Sequence, residues 1–439
     1  MALGSDNKVS DYFIFMKIED RVFAQTEFLG LSIAIKMNSA PTGELTIVDR
    51  SGLGLSPNDS GKLMMFEFDN ATDNTQAKNS TLMCLIDSVE EIDSNTENNN
   101  YRIHFSAGSS NLAQTKSGAY TGASPYAIEQ IFSGFKASSD NGMNLVPLNS
   151  SVKFTDTMTW KCISENFWES MATVVNRSYR ENDYLFWAWD DVNNAITVST
   201  LENAKGLPDK YVFIQNDNAI ASTEVVRRVN ENPDYTTWTV AELKRSNTLG
   251  SSKKDLFPNS SLGMANGTKQ VTGEIRNECF AQTMSSMGNT KGQDISDHTG
   301  LGSNLTYGKA EVVRQNPNDT HNMYGVADKI RNYIMGTYSK RVKTLMYNNA
   351  GPSVGSKVLL LCAPNNAKTG TMEAIDYTFS DVYIVAAKYI TFTSVGVDKI
   401  GRITPDTPKQ RTAFELISDN FAGDGKQAIE KISKEFKWV

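Results

Sequence analysis

The stretch NDYLFWAWDD, residues 182–191, places four aromatic side chains between acidic flanks. These aromatics could form a stacking platform for a sugar, or they could belong to a buried strand that ends in a turn. In a strand, Trp187 and Trp189 would share one face, and Tyr184 and Phe186 the other. A strand that is covered by a sheet on one side and a helix on the other needs apolar residues on both faces. The sequence favours the buried strand, and the ligand platform stays open.

The segments on either side of this stretch predict an α+β unit over residues 111–205. Downstream, DVNN supplies a turn, and residues 195–201 return as a second strand. Ser124 as N-cap and Pro125 at the first helical position predict a helix. Apolar residues at three- and four-residue steps predict a second helix in TDTMTWKCISENFWESMATVVNRSY; they are Met158, Cys162, Ile163, Phe167 and Met171.

Residues 1–110 have the pattern of short strands separated by turns. After a first strand at 28–37, strand patterns follow at 44–49, 62–68, 81–87 and 101–105. Such strands predict a small antiparallel barrel or sandwich. The clearest period of two lies in FLGLSIAIKM, where one face carries Leu29, Leu31, Ile33, Ile35 and Met37.

The remainder of the chain predicts a second strand-rich block. Residues 206–320 continue the first barrel and include 245–310, which are rich in Asn, Ser and Gly and predict a long loop. A helical pattern follows at 327–341, within a second block of strands at 321–405. Residues 406–439 end in an amphipathic helix that either docks a partner or packs on its own chain; its stripe is Ile429, Ile432, Phe436 and Val439.

Composition limits the classes of function. At 439 residues the chain predicts two to four domains of ~100–200 residues. The net charge of -7, with 43 basic and 50 acidic residues, provides no basic surface for nucleic acid or an anionic membrane. There is no secretory signal pattern, and the longest apolar run, 358–363, is far shorter than the ~20 residues of a membrane span. The sequence predicts a soluble protein made in a reducing cytoplasm.

The four cysteines predict neither a metal site nor a redox motif. They lie far apart, without a C-x-x-C pair, so reduced and mostly buried thiols are favoured over disulfides. The positions are Cys84, Cys162, Cys279 and Cys362.

Motifs for catalysis are missing from the sequence. His104, His298 and His321 have no metal-ligand spacing, and no glycine-rich segment has the spacing of a phosphate loop. Asp190 and Asp191 could serve glycoside hydrolysis, but adjacent strand residues point to opposite faces. The sequence therefore predicts no catalytic residue, cofactor or metal, with a glycan hydrolase kept as an alternative.

One order of elements resembles a known family. The helix SENFWESMATVVNRSY, the aromatic strand YLFWAW, the turn DDVNN and the strand AITVST resemble the inserted module of contractile-tail baseplate hub proteins. Type VI secretion spike proteins carry a similar module. The N-terminal LSIAIKMN and LTIVDRSG segments look like the first tube-like barrel of such hubs. The segments VGSKVLLLCAP, DVYIVAAKYITFT and RITP look like the second. The resemblance covers residues 10–205 and 320–405.

The resemblance implies a mainly β fold that also contains an α+β part. Two tube-protein-like antiparallel β-barrels would carry an inserted α+β module, and the aromatic strand would have a structural role in that module. The implied domains are the first barrel at 1–110, the module at 111–205, the continuation and insertion at 206–320, the second barrel at 321–405 and the tail at 406–439.

The implied function is that of a structural phage baseplate hub. A homotrimer with two barrels per chain would form a pseudo-sixfold ring that joins the tail tube protein to the central spike protein and contacts other baseplate proteins. DNA would pass through its lumen without specific binding. The protein would be assembled in the host bacterial cytoplasm and reside in the tail baseplate of the virion. The alternative is a glycan-binding or glycan-hydrolysing tail component.

Overall fold

The computed structural model describes residues 14–247 and 340–418, with gaps, and residue 429. The gaps are 20, 24–27, 50–54, 69–79, 95–98, 109, 137–143, 155, 179, 181–182, 192, 194, 205–209, 348–350, 365–367, 369–373 and 398–402. The helices are α1 Ser110–Ala113, α2 Ser124–Phe135, α3 Phe167–Arg177, α4 Asn218–Ala221 and α5 Glu224–Glu231. The strands are β1 Ile14–Ile18, β2 Arg21–Phe23, β3 Phe28–Lys36, β4 Thr42–Asp49, β5 Leu63–Phe68, β6 Ser80–Ser94, β7 Asn99–Ala107, β8 Lys116–Gly122, β9 Asn144–Val146, β10 Met158–Glu165, β11 Leu185–Asp190, β12 Ala195–Thr200, β13 Tyr211–Gln215, β14 Thr236–Val240, β15 Glu242–Asn247, β16 Lys340–Tyr347, β17 Lys357–Leu361, β18 Asp381–Val397 and β19 Ile403–Ser418.

The main sheet has fourteen strands among the described residues. Its path runs β14-β13-β17-β18-β3-β4-β7-β6-β5-β1-β2, and β19, β16 and β15 follow one another from the other edge of β18. The five strands predicted between residues 28 and 105 are all present, because turns and a period of two mark them clearly. The mainly β class with an α+β unit is confirmed.

Strand β18 joins the two predicted barrels. Its first residues pair with β17, and residues 387–393 pair with β3 along the same edge. A register shift between Val385 and Ala387, in the pairing with β19, lies near the point where the partner on the other edge changes. Such a bulge bends a strand and increases its twist. One long strand therefore belongs to both strand-rich blocks.

The sheets are not closed barrels, which corrects the predicted pair of tube-like barrels. In the block formed by β13–β19, β14 pairs with β13 and β15 pairs with β16, but the ladder is interrupted between β14 and β15. The chain bends there at Ala241, whose N–H donates to the Leu345 carbonyl at 2.8 Å. Phe213 on β13 and Phe414 on β19 meet at 5.2 Å between ring centroids. The block is a strongly curved sheet around a shared core.

The α+β unit contains the β8–β10 pair, the β11-β12-β9 sheet, α2 and α3. The helix predicted over 155–179 is wrong in its first half, which forms β10. Asn166 caps α3 through a capping box with Glu169, so the helix begins only after Asn166. Ile163 is 68% exposed, although the helical pattern placed it on the apolar stripe. Alternate residues of β10 are buried instead; they are Met158, Trp160 and Cys162.

Helix α2 begins close to its predicted start. Ala123 is the N-cap and Ser124 is the first helical residue, so the helix begins one residue earlier than predicted. The Ser124 backbone N–H donates to Asp156 Oδ1 at 3.0 Å. The Asp156 carboxylate, two residues before β10, therefore takes the capping role that was expected of the Ser124 side chain.

Strands β15 and β16 hold both ends of the segment 248–339, with Asn247 opposite Lys340. Residues 245–247 of the predicted loop and 340–341 of the predicted helix are therefore strand, and the rest of both lies outside the described residues. Arg245 pairs with Asp376 at 2.6 Å, and Lys340 pairs with Asp381 at 2.8 Å. The predicted domain boundaries stay a prediction. The one between the second barrel and the tail, at residues 405 and 406, falls within β19.

Gly43 on β4 provides a test of the packing on the buried side of the sheet. A Cβ at Gly43 would lie 2.3 Å from the Phe105 ring and 2.5 Å from the Ser32 carbonyl oxygen. Because a backbone atom cannot easily move aside, Gly43→Ala should lower the free energy of unfolding by about 1–3 kcal/mol. Chemical denaturation measures this change.

Gly30 on the neighbouring β3 is the matched control. A Cβ there would meet only the Phe392 carbonyl oxygen, at 3.6 Å. Gly30→Ala should therefore change stability much less than Gly43→Ala. Equal effects of the two substitutions would contradict the packing described around Phe105.

Candidate functional site

The aromatic strand is buried. The side chains of Tyr184, Phe186, Trp187 and Trp189 are at most 5% exposed. Trp168 of α3 stacks on Trp187, with ring centroids 5.2 Å apart and planes inclined by 23°. A glycan platform presents an open ring face to its sugar, and these rings have their faces covered by protein. The strand packs the α+β unit together.

Both acidic residues after the strand are engaged in structural contacts. Asp190 accepts a hydrogen bond from Ser353 Oγ at 2.6 Å and another from Asn193 Nδ2 at 2.7 Å. Asp191 Oδ2 lies 2.5 Å from Lys388 Nζ on β18. The Lys388 side chain is fully buried, and that of Asp191 is 12% exposed. The two carboxylates thus fasten the unit to the sheet, and each has a different partner.

Asn38 makes a second connection between the sheet and the aromatic strand. It follows β3 with φ of 55°, a left-handed conformation that asparagine tolerates better than most residues. Its backbone N–H donates to the Trp187 carbonyl at 2.9 Å, and its Oδ1 accepts from the Trp187 N–H at 3.0 Å. The residue therefore extends strand-like pairing from the β3–β4 turn to β11.

A close approach at Gly355 completes this junction. The Gly355 N–H donates to the Val385 carbonyl at 2.8 Å, and its φ is +88°. A Cβ at this position would lie 3.1 Å from the Phe186 ring. Glycine lets the turn before β17 adopt this conformation beside the aromatic strand.

The cysteine thiols that the structure describes are buried and form no disulfide: Cys84, Cys162 and Cys362. Burial raises the pKa of Cys362 to about 11, although a hydrogen bond with Ser380 acts in the opposite direction. Burial also raises the pKa of Cys84 well above its usual value. Thiolates are the reactive form of cysteine, so these residues are unsuited to nucleophilic catalysis. Cys279 lies outside the described residues.

Thiol labelling tests this burial. In a Cys279→Ser variant at pH 8, the remaining thiols should react with a disulfide reagent at least about a hundredfold more slowly in the folded chain than in denaturant, because they are buried. Rapid labelling of a thiol in the native protein would contradict their placement. Circular dichroism confirms that the variant stays folded.

Among the described residues, no group of three or more His, Cys, Asp or Glu side chains could hold a metal ion. His104 lies on β7 between Glu44 and Glu90, at 4.0 and 3.8 Å. His298 and His321 lie outside the described residues.

None of the described helices has the length and apolar character that a bilayer crossing requires.

The main sheet has one continuous face of partly or fully exposed, mostly polar side chains. On eight neighbouring strands, residues paired in register form two such rows, each of which crosses seven strands. One row consists of Tyr347, Arg411, Thr391, Ser32, Glu44, His104 and Ser88. A second consists of Glu242, Leu345, Ala413, Tyr389, Ala34, Thr42 and Ser106. We call these two rows, with the charged residues that neighbour them on the same strands, the polar face.

The opposite side of the same strands is the packed side. The row behind the first contains Met346, Ile390, Ile33, Phe105 and Ile86, all of them buried. An antiparallel sheet with one solvated face has this alternation in many proteins. Here the alternation continues without interruption from the second strand-rich block into the first, because β18 belongs to both.

Charges on the polar face are paired across strands. Arg102 Nε lies 3.1 Å from Glu44 Oε1 without hydrogen-bond alignment, and Arg102 also lies 3.9 Å from Glu90. On the other side of β18, Lys343 lies 2.5 Å from Glu415. These side chains are mostly accessible, so the pairs contribute little to stability. Local sequence patterns do not reveal these pairs, because their members lie on different strands that are distant in sequence.

The stripe predicted in the C-terminal tail is described at one residue. Ile429 is 1% exposed and packs in a cluster that contains Val225, Val226 and Val229 of α5. Ile432, Phe436 and Val439 lie outside the described residues. The described part of the stripe therefore contacts its own chain, and partner docking by the tail stays a prediction.

No protein-family model matches the chain, and no curated protein matches it. Solved structures with a similar fold come from phage tails and the type VI secretion system. An E. coli type VI secretion component, itself similar to T4 bacteriophage tail proteins, has a TM-score of 0.44 at 7% identity, over 93% of this chain and 78% of that chain.

Two tail proteins are similar over nearly their whole length. A tail protein from Neisseria meningitidis has a TM-score of 0.44 at 8% identity, over 94% of this chain and 98% of that one. A prophage tail protein from Shewanella oneidensis has a TM-score of 0.45 at 8% identity, over 93% of this chain and 99% of that one.

Proposed function

We propose that the protein is a structural hub of a phage tail baseplate. The polar face carries this proposal: it extends over strands of both blocks, while the other side of the sheet is packed against the core. If several copies turned this face toward a common axis, their sheets would form the wall of a channel. Heterologous contacts between identical chains form a closed ring when the rotation from one chain to the next is a whole fraction of a full turn.

The composition of the polar face supports a channel wall. Small polar residues such as Ser32, Thr391 and Thr42 occupy its rows. Two of its cations, Arg102 and Lys343, lie beside carboxylates, whereas Arg411 lies over the Tyr347 ring. The carboxylates reduce the attraction of a passing polyanion to those two cations, and the chain as a whole has a net charge of -7. The channel would therefore pass DNA without binding it.

The finer parts of the proposal follow from the resemblance of the sequence to baseplate hubs. We propose a homotrimer with pseudo-sixfold symmetry that joins the tail tube protein to the central spike protein and contacts other baseplate proteins. The protein would reside in the virion tail after assembly in the host cytoplasm. No residue would carry out covalent chemistry, and no cofactor or metal is proposed.

A glycan-binding or glycan-hydrolysing role is less well supported. The aromatic rings that would stack on a sugar are buried, and the Asp190 and Asp191 carboxylates have structural partners. Those two residues could serve hydrolysis only if the junction with β18 opened. Screening the purified chain against bacterial cell-wall and surface glycans should detect no binding or hydrolysis, whereas activity lost in an Asp190→Asn variant would favour the alternative.

The mass of the purified protein over a concentration series tests the hub proposal. We expect a trimer, formed alone at high concentration or after addition of the tail tube or spike protein encoded in the same genome. A folded monomer under all of these conditions would contradict the proposal. A stable assembly with a different number of copies would support a ring and contradict the proposed trimer.

A further inference from the structure

We infer that Glu44 and Glu90 act as anti-adhesion residues, which hold Arg102 and His104 of the polar face so that duplex DNA does not adhere to this part of the channel wall. This inference rests on the proposed hub function and names the residues that lower the affinity of the channel wall for duplex DNA. It concerns the part of the polar face on β4, β6 and β7.

The geometry of the network carries the inference. Arg102 lies between Glu44 on β4 and Glu90 on β6, at 3.1 and 3.9 Å. His104, two residues further along β7, lies between the same two carboxylates, at 4.0 and 3.8 Å. Two acidic side chains therefore flank both basic groups from either side, with all four side chains 38–55% exposed.

The energetics indicate that stability alone does not account for this arrangement. Exposed ion pairs contribute at most about 1 kcal/mol and often nothing measurable. An unpaired arginine, by contrast, binds phosphate strongly, and each phosphate contact adds to affinity through counterion release. The carboxylates thus have a larger effect on binding of a polyanion than on the free energy of unfolding.

Glu44→Gln/Glu90→Gln frees Arg102 and His104 with little change of shape. The matched control is Glu224→Gln/Glu231→Gln on α5, which removes the carboxylates paired with Arg227 and the Glu224 carboxylate paired with Arg228, and changes the net charge equally. The assembled protein is offered either a linear duplex, which can thread a channel, or a covalently closed circle of the same sequence, which cannot. Retention of each DNA is measured at several salt concentrations.

We expect the Glu44/Glu90 variant to retain linear duplex at least about tenfold more strongly than the unchanged ring, with a salt dependence that is steeper by roughly one unit for the Arg102 guanidinium. Its binding of the closed circle should stay unchanged. The α5 control should change linear and circular DNA alike, because those arginines lie off the polar face. Thermal unfolding should show that both variants remain folded.

Two outcomes overturn the inference in distinguishable ways. If a ring forms and the Glu44/Glu90 variant retains linear and circular DNA equally, or neither more than before, these residues have no anti-adhesion role and the hub proposal stands. If mass measurement shows only monomers with every addition, the hub proposal fails and the inference fails with it.

Discussion

Lys388→Met is expected to lower the free energy of unfolding by about 3–5 kcal/mol. The substitution removes the ammonium group that lies 2.5 Å from Asp191 and leaves that carboxylate in a site where its side chain is 12% exposed. A buried charge without its partner costs far more than the intact pair contributes. Urea denaturation followed by circular dichroism measures the loss.

Two further variants separate the ion pair from general damage to the sheet. Lys388→Met/Asp191→Leu removes both charges and should recover most of the lost stability, because an apolar pair of similar size can replace a buried ion pair. Lys343→Met removes a lysine that is 65% exposed and paired with Glu415, and should cost less than about 1 kcal/mol. A double variant as unstable as Lys388→Met would show that the pair is not what holds the junction.

Trp187→Ala is the second substitution with a large expected effect, a loss of about 3–5 kcal/mol. Trp187 is 1% exposed and stacks on Trp168, so the substitution opens a cavity between β11 and α3. Because the strand holds the α+β unit to the sheet through Asn38, we also expect the unit to become sensitive to proteolysis. Denaturation and limited proteolysis measure the two effects.

Trp187→Phe is the matched control. The Trp187 Nε1 has no hydrogen-bond partner, so phenylalanine removes volume and leaves no acceptor unsatisfied. Its cost should therefore be clearly smaller than that of alanine. If Trp187→Ala kept full stability and abolished binding of a glycan, the aromatic strand would be a ligand site and the packing role would be wrong.

Local patterns explain which parts of the fold were predictable. The five early strands and the β11–β12 hairpin follow from a period of two and from turn residues, which act over a few positions. The segment 155–179 was assigned to one helix because Met158, Cys162, Phe167 and Met171 also fit helical steps. Asn166 and Glu169 form a capping box that was present in the sequence and would have placed the helix start correctly.

The functional features depend on contacts between distant residues. Nothing near Lys388 in sequence indicates that its partner is Asp191, and nothing near Asn38 indicates that it pairs with Trp187. The polar face likewise appears only once β18 is paired with β3 on one edge and β19 on the other. The sequence predicted a barrel in each block but could not show that one strand would belong to both.

Direct imaging of the assembled protein at a resolution that resolves strands tests whether the polar face lines a channel. We expect three copies around an open hole, with the polar face, marked by Ser32, Glu44 and Thr391, turned toward the axis. A ring with this face on its outer surface would contradict the channel wall and the role given to Glu44 and Glu90. Monomers alone, even with tail tube and spike proteins present, would contradict the hub itself.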